Sequence, residues 1–110
     1  MKLFIPPKRR AEAAEILRSI QERLEIHPDF RGSCIQVRDH PCSHIVYAEH
    51  WDSDEAIYEH IRSPLYRRVL TVFELSNRSP EVSFYFVSHT KGMELIESLR
   101  GVPEQAKEAD

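Results

Sequence analysis

Apolar positions follow two rhythms along this chain, and the rhythm changes several times. Lys2-Leu3-Phe4-Ile5 is a short apolar run that reads as a strand. Pro6-Pro7 stops it, since proline lacks the N–H a ladder needs but suits the first turn of a helix. From about Lys8 to Ile26 the period lengthens. Ala13, Ile16, Leu17, Ile20 and Leu24 recur at steps of three and four and form one stripe, with Arg18, Glu22 and Glu25 off it. His27-Pro28-Asp29 ends this helix, because a residue before proline avoids the α region.

Strand character returns at Ser33–Arg38, and Asp39-His40-Pro41 supplies turn chemistry before His44–Trp51, a run rich in β-branched and aromatic residues. The two runs read as a hairpin. Asp52 or Ser53 then caps a helix to about Ile61, with Glu55 placed as in a capping box. Ser63-Pro64 restarts it, serine as cap and proline at the first position, with Leu65, Val69, Leu70 and Phe73 turned inward. After the loop Asn77–Pro80, Val82–Val87 reads as a strand. A short helix with Met93, Ile96 and Leu99 on one side closes at Gly101.

The order β-α-β-β-α-β is the ferredoxin-like split pattern, an α+β fold with both long helices on one face of an antiparallel sheet. Val82–Val87 is apolar at both parities, so both of its faces need cover. A second copy of the sheet provides it, which predicts a homodimer through the sheet face, an α/β barrel. Residues 1–100 form the expected domain, and 101–110 a solvated, flexible tail.

Composition narrows the function. The net charge is −3, and the last eight residues carry two of those charges, so the body is nearly neutral. Such a body gives no electrostatic reason to bind a phosphate backbone, and no nucleic-acid partner is expected. No apolar run reaches the length of a membrane span, and no signal peptide is visible. Two cysteines, Cys34 and Cys42, make no disulfide framework. Together these features predict a cytoplasmic protein with free thiols. With three glycines, the chain lacks the loops that cradle nucleotides or flavins.

Three groups of residues could carry chemistry. His60 shares a helix face with Ile57 and Ile61, which turns it towards the sheet. An inward histidine can act as a general base, or simply fill the core with one hydrogen bond. Tyr47, Glu49 and Trp51 alternate along one strand and point the same way. They could line a cavity with an aromatic wall and one carboxylate, suited to a flat aromatic molecule, or pack as core with Glu49 at its mouth. His40, Cys42 and His44 bring metal-binding types together, but no second cluster completes a zinc site, so no metal is expected. His44 and His50 fall on the opposite parity to Trp51 and would face a partner sheet.

The stretch Tyr47-Ala48-Glu49-His50-Trp51-Asp52-Ser53-Asp54-Glu55-Ala56 resembles the antibiotic-biosynthesis-monooxygenase family. There, an acidic residue and a tryptophan end this strand and a capped acidic helix follows. Glu59-His60-Ile61-Arg62-Ser63-Pro64-Leu65-Tyr66 is similar to the family's next helix, and the likeness covers most of residues 1–100. The family's first strand is usually longer than Lys2–Ile5. The resemblance implies a dimeric α/β barrel and a monooxygenase that uses no cofactor and acts on a quinol or polyphenol-like aromatic. In that reading His60 is the catalytic base, and Tyr47, Glu49 and Trp51 bind substrate. Haem-degrading relatives carry a tryptophan at the position of His60 and an axial histidine at that of Leu70, which argues against that activity here. The alternative is a dimeric binding or structural protein without catalysis, since one fold hosts many roles.

Overall fold

The computed structural model describes residues 1–87 and 92–101. The expected tail lies outside the described residues, apart from Gly101. Among these residues, three strands and four α-helices follow in chain order: β1 Lys2–Leu3, α1 Arg10–Leu24, β2 Phe30–Arg38, β3 His44–Trp51, α2 Asp54–Arg62, α3 Tyr66–Leu75 and α4 Met93–Arg100. The class is α+β. The sheet is antiparallel, in the order β1-β3-β2.

The first helix forms as its stripe dictates. A 3₁₀ turn at Pro7–Arg9 leads into α1, and Ala13, Leu17, Ile20 and Leu24 are buried. They meet Leu3 and Ile5, Ile45 and Tyr47 from β3, and Val69 and Val72 from α3 in a single core. The helices therefore cover one face of the sheet. Its odd-numbered β3 residues point into the core, as period-two alternation requires. Strand β2 begins at Phe30, earlier than the apolar run suggests. A bulge between Phe30 and Gly32 lets the pairing continue, with Phe30 opposite Trp51 and Gly32 at a φ of 154°.

Around α2 the capping differs from expectation in one detail. Ser53 is the N-cap and accepts from the Ala56 amide at 3.1 Å. Ser63, expected to start the next helix, instead closes α2, because its Oγ donates to the His60 carbonyl at 2.6 Å. Helix α3 begins at Tyr66 after a turn through Pro64, and this shifts its inward face. Val69 and Val72 are fully buried and Leu70 is 47% exposed, so Leu70 is outward and Val72 takes the core position. Replacing Ser53 with alanine should cost about 1 kcal/mol, read as a lower denaturant midpoint at unchanged slope.

Two further expectations change. His44 does not face outward freely. It is 5% exposed, its Nδ1–H donates to the Cys42 carbonyl at 2.7 Å, and the Phe4 ring lies 6.5 Å away. Residues 82–87 do not join the sheet. Only Glu81 is tied to it, through two backbone hydrogen bonds with Lys2, at 2.7 and 2.9 Å. The last helix is present, and Gly101 ends it in the left-handed region at a φ of 72°, which glycine adopts without strain.

Candidate active site

The site grows from the place where β1 stops. Met1 exchanges two hydrogen bonds with Tyr47 on β3, its amine donating to the Tyr47 carbonyl at 2.7 Å and its carbonyl accepting from the Tyr47 amide at 3.0 Å. Past that point β3 continues through Ala48, Glu49 and His50 to Trp51, with no strand beside this edge among the described residues. A cavity of about 490 Å³ lies between this stretch of β3, the inner side of α2 and residues 82–87. That volume is within the range of small-molecule sites.

One carboxylate organises the wall. Tyr47, Glu49 and Trp51 share a face of β3, as their alternation predicts. Glu49 accepts from the Tyr47 hydroxyl at 2.6 Å and from the Trp51 indole N–H at 3.1 Å. His60 reaches the same carboxylate from α2, its Nε2 lying 3.0 Å from Oε1 and 3.3 Å from Oε2. The His60 side chain is 4% exposed and that of Glu49 13%, so the pair is shielded from water. The His60 ring is enclosed by Trp51 at 5.1 Å and by Tyr66, edge-on, at 5.2 Å. Phe30 and His27 pack on Trp51 in turn, at 5.2 and 5.1 Å. The four residues expected to form the site, Tyr47, Glu49, Trp51 and His60, thus come together, on two consecutive elements.

The electrostatics follow from this geometry. Burial alone would raise the Glu49 pKa, but hydrogen bonds from His60 and Tyr47, the attraction of His60 and the Trp51 hydrogen bond outweigh it, and the net shift is downward. Burial, then the Glu49 charge and the hydrogen bond to it, push the Tyr47 phenol well above its usual value. Burial and the same charge raise Tyr66. At neutral pH the site is therefore an ionised carboxylate among un-ionised phenols, with the His60 ring beside it.

A depressed carboxylate pKa stabilises the folded state at pH values above the unfolded glutamate range, and that contribution is lost as pH falls through the folded value. Trp51 is the sole tryptophan, so its emission reports this site alone. An acid titration of Trp51 fluorescence should show a transition with its midpoint below 4.5, the ordinary glutamate value. Glu49→Gln should remove that transition.

Tyr66 was not evident from the sequence. It stands six residues after His60, across the break at Ser63, where no helical spacing relates the two. Val82, Phe84 and Tyr85 also line the cavity, as does Met1. Ile61 is only partly covered, at 38% exposed, and Ala56 is the buried neighbour of His60 on α2 instead. Position 70 lies outside the cavity lining. Among the described residues, no group of three or more histidine, cysteine, aspartate or glutamate side chains is placed to hold a metal ion. No helix among them is long and apolar enough to cross a membrane. Compared with known proteins, the chain matches no family model and no curated sequence.

Proposed function

We propose that this protein is a cofactor-independent monooxygenase of the antibiotic-biosynthesis-monooxygenase type, acting in the cytoplasm on a quinol or polyphenol-like aromatic. One observation carries the reading: a buried Glu49–His60 pair, 3.0 Å apart, in the wall of an aromatic-lined cavity of about 490 Å³. A flat phenolic ring fits between aromatic side chains, and a base with its own carboxylate partner is what such a ring needs to become reactive.

The roles follow from the contacts. The Nε2–H of His60 donates to Glu49, which fixes the tautomer and leaves Nδ1 as the basic atom. Nδ1 takes the phenolic proton, and Glu49 stabilises the imidazolium that results. The quinol anion gives electrons to O₂, and a ring carbon forms a bond to oxygen as a hydroperoxide. The O–O bond then breaks, water leaves with one oxygen atom, and the ring remains as a quinone carrying the other. Overall, hydroquinone and O₂ give hydroxyquinone and water. Water exclusion around the pair strengthens its electrostatics and protects the peroxide.

A second reading has its own support. Glu49 is saturated by three donors, as in a polar cluster that serves stability alone. In that case the same cavity binds an aromatic without turning it over. Anaerobic titration with 1,4-naphthohydroquinone separates these outcomes. Both readings expect saturable quenching of Trp51. Admission of O₂ should then produce the hydroxyquinone only if the protein is the proposed enzyme. No quenching at millimolar quinol would remove both.

The full ferredoxin-like sheet and the dimeric barrel belong to this proposal. The apolar character of residues 82–87 at both parities, and their place next to β1, support a fourth strand that forms on association.

A further inference from the structure

Strand β2 departs from a regular ladder at one place, and that place lies against the site. From Arg38 back to Gly32 its residues face β3 in steady register, ending with Gly32 opposite His50. One step further, that register would set Arg31 opposite Trp51. A bulge intervenes, and Phe30 stands there instead. Residues directly opposite on neighbouring strands share a face, so the extra residue exchanges a charged neighbour of Trp51 for an aromatic one. Arg31 is exposed and pairs with Asp52. Gly32 has a φ of 154°, and a Cβ there would meet nothing within 4 Å, so its glycine answers to backbone conformation rather than to space. Bulges beside active sites commonly re-aim a side chain in this way.

The turn before the bulge holds a second ring. His27 Nδ1 accepts from the Asp29 amide at 3.1 Å, and the Phe30 amide donates to the His27 carbonyl at 3.2 Å. The Asp52 amide donates to the Asp29 carbonyl at 2.9 Å, which ties this turn to the end of β3. His27 and Phe30 therefore meet Trp51 edge-on, at 5.1 and 5.2 Å, with interplanar angles of 82° and 68°. Edge-to-face contacts are directional, so they fix the tilt of a ring as well as its place. Trp51 in turn donates its indole N–H to Glu49 at 3.1 Å and lies 33° from parallel to the His60 ring, 5.1 Å away.

We propose that Phe30 and His27 are positioning residues for the His60 base, acting through Trp51. They hold the indole where it both donates to Glu49 and sets the plane of the imidazole, so that Nδ1 meets the phenolic proton at one angle. Neither residue belongs to the cavity lining. Their effect is on geometry, and a misplacement of about 1 Å that starts far from the chemistry can slow a reaction on the order of 100-fold. The kinetic half of this proposal rests on the proposed function. The geometric half does not and is tested without quinol.

Three variants make the test. Phe30→Leu keeps an apolar side chain without a ring edge, and Phe30→Tyr keeps the edge. His27→Asn keeps an acceptor for the Asp29 amide and lacks the ring. The ring protons of His60, assigned in the proton NMR spectrum by their loss in His60→Gln, report Trp51 through its ring current. Their upfield displacement should fall by about half in Phe30→Leu and His27→Asn, and return in Phe30→Tyr. Turnover of 1,4-naphthohydroquinone should follow, with kcat about tenfold lower in the first two, KM within about twofold, and recovery in Phe30→Tyr. Parental ring shifts in both Phe30→Leu and His27→Asn would overturn the proposal. So would a Phe30→Tyr protein as displaced as Phe30→Leu, because side-chain volume rather than the ring edge would then be what matters. Displaced ring protons with a parental kcat would overturn the link to the base and leave a structural clamp. A parent that turns over no quinol would remove the proposed function, and the ring shift would still decide whether this turn holds the His60 ring.

Discussion

Replacing His60 with alanine is expected to slow quinol-dependent oxygen uptake by about 10²- to 10⁴-fold, the range for a positioned acid–base group. Alanine also removes one of the three donors to Glu49, so slower turnover alone would not separate a base from a brace. His60→Gln makes the separation. Its side-chain amide can occupy the place of Nε2 and donate to Glu49, but it cannot take a proton. The expected result is a protein with near-parental thermal stability, unchanged Trp51 quenching by quinol, and turnover as slow as that of His60→Ala. The loss should fall on kcat with little change in KM, since a base acts on the transition state rather than on binding. Turnover by His60→Gln within a few-fold of the parent would show that His60 holds the site together without reacting.

Glu49→Ala should have the largest effect on stability. The carboxylate accepts from the Tyr47 hydroxyl, the Trp51 indole and His60, and none of these is fully exposed. Its removal strands three donors in a poorly hydrated place. Leaving one buried donor unsatisfied costs about 1–3 kcal/mol, so three cost about 3 kcal/mol or more. For a domain of this size that lowers Tm by roughly 10–20 °C. Glu49→Gln keeps the shape and one acceptor oxygen but turns an amide N–H₂ towards a donor. It should be intermediate, because one hydrogen bond is replaced by a repulsive contact. Melting by differential scanning calorimetry checks both. A shift of 2 °C or less for Glu49→Ala would show that the cluster contributes little to the fold.

The elements of the site were legible because two periodicities converge there. Alternation along β3 puts Tyr47, Glu49 and Trp51 on one side, and the step from Ile57 to His60 turns the histidine inward. Neither pattern shows that the two faces meet, and Glu49 as the shared acceptor appears only in three dimensions. The cavity itself was hidden. Its walls come from β3, α2 and residues 82–87 together, and no one segment carries that arrangement. Serine before proline suits a helix start, which points to Ser63 as the cap of α3, yet the same hydroxyl also reaches back to an open carbonyl of α2. That competition, and the two-residue delay of α3 that goes with it, exchanged Leu70 for Val72 in the core. Apolar residues at both parities of 82–87 predict a need for cover, but such a pattern does not say which surface would provide it, and in the structure these side chains are largely exposed.

The central claim is oxygen chemistry at the Glu49–His60 pair with no added cofactor. Its most direct test is the stoichiometry and isotope content of product when purified, metal-depleted protein meets 1,4-naphthohydroquinone in ¹⁸O₂. The account predicts consumption of one O₂ per quinol, well above the rate without protein, with one ¹⁸O atom in the hydroxynaphthoquinone and the other in water. Oxygen uptake no faster than the protein-free rate, or quinone formed without ¹⁸O, would contradict it.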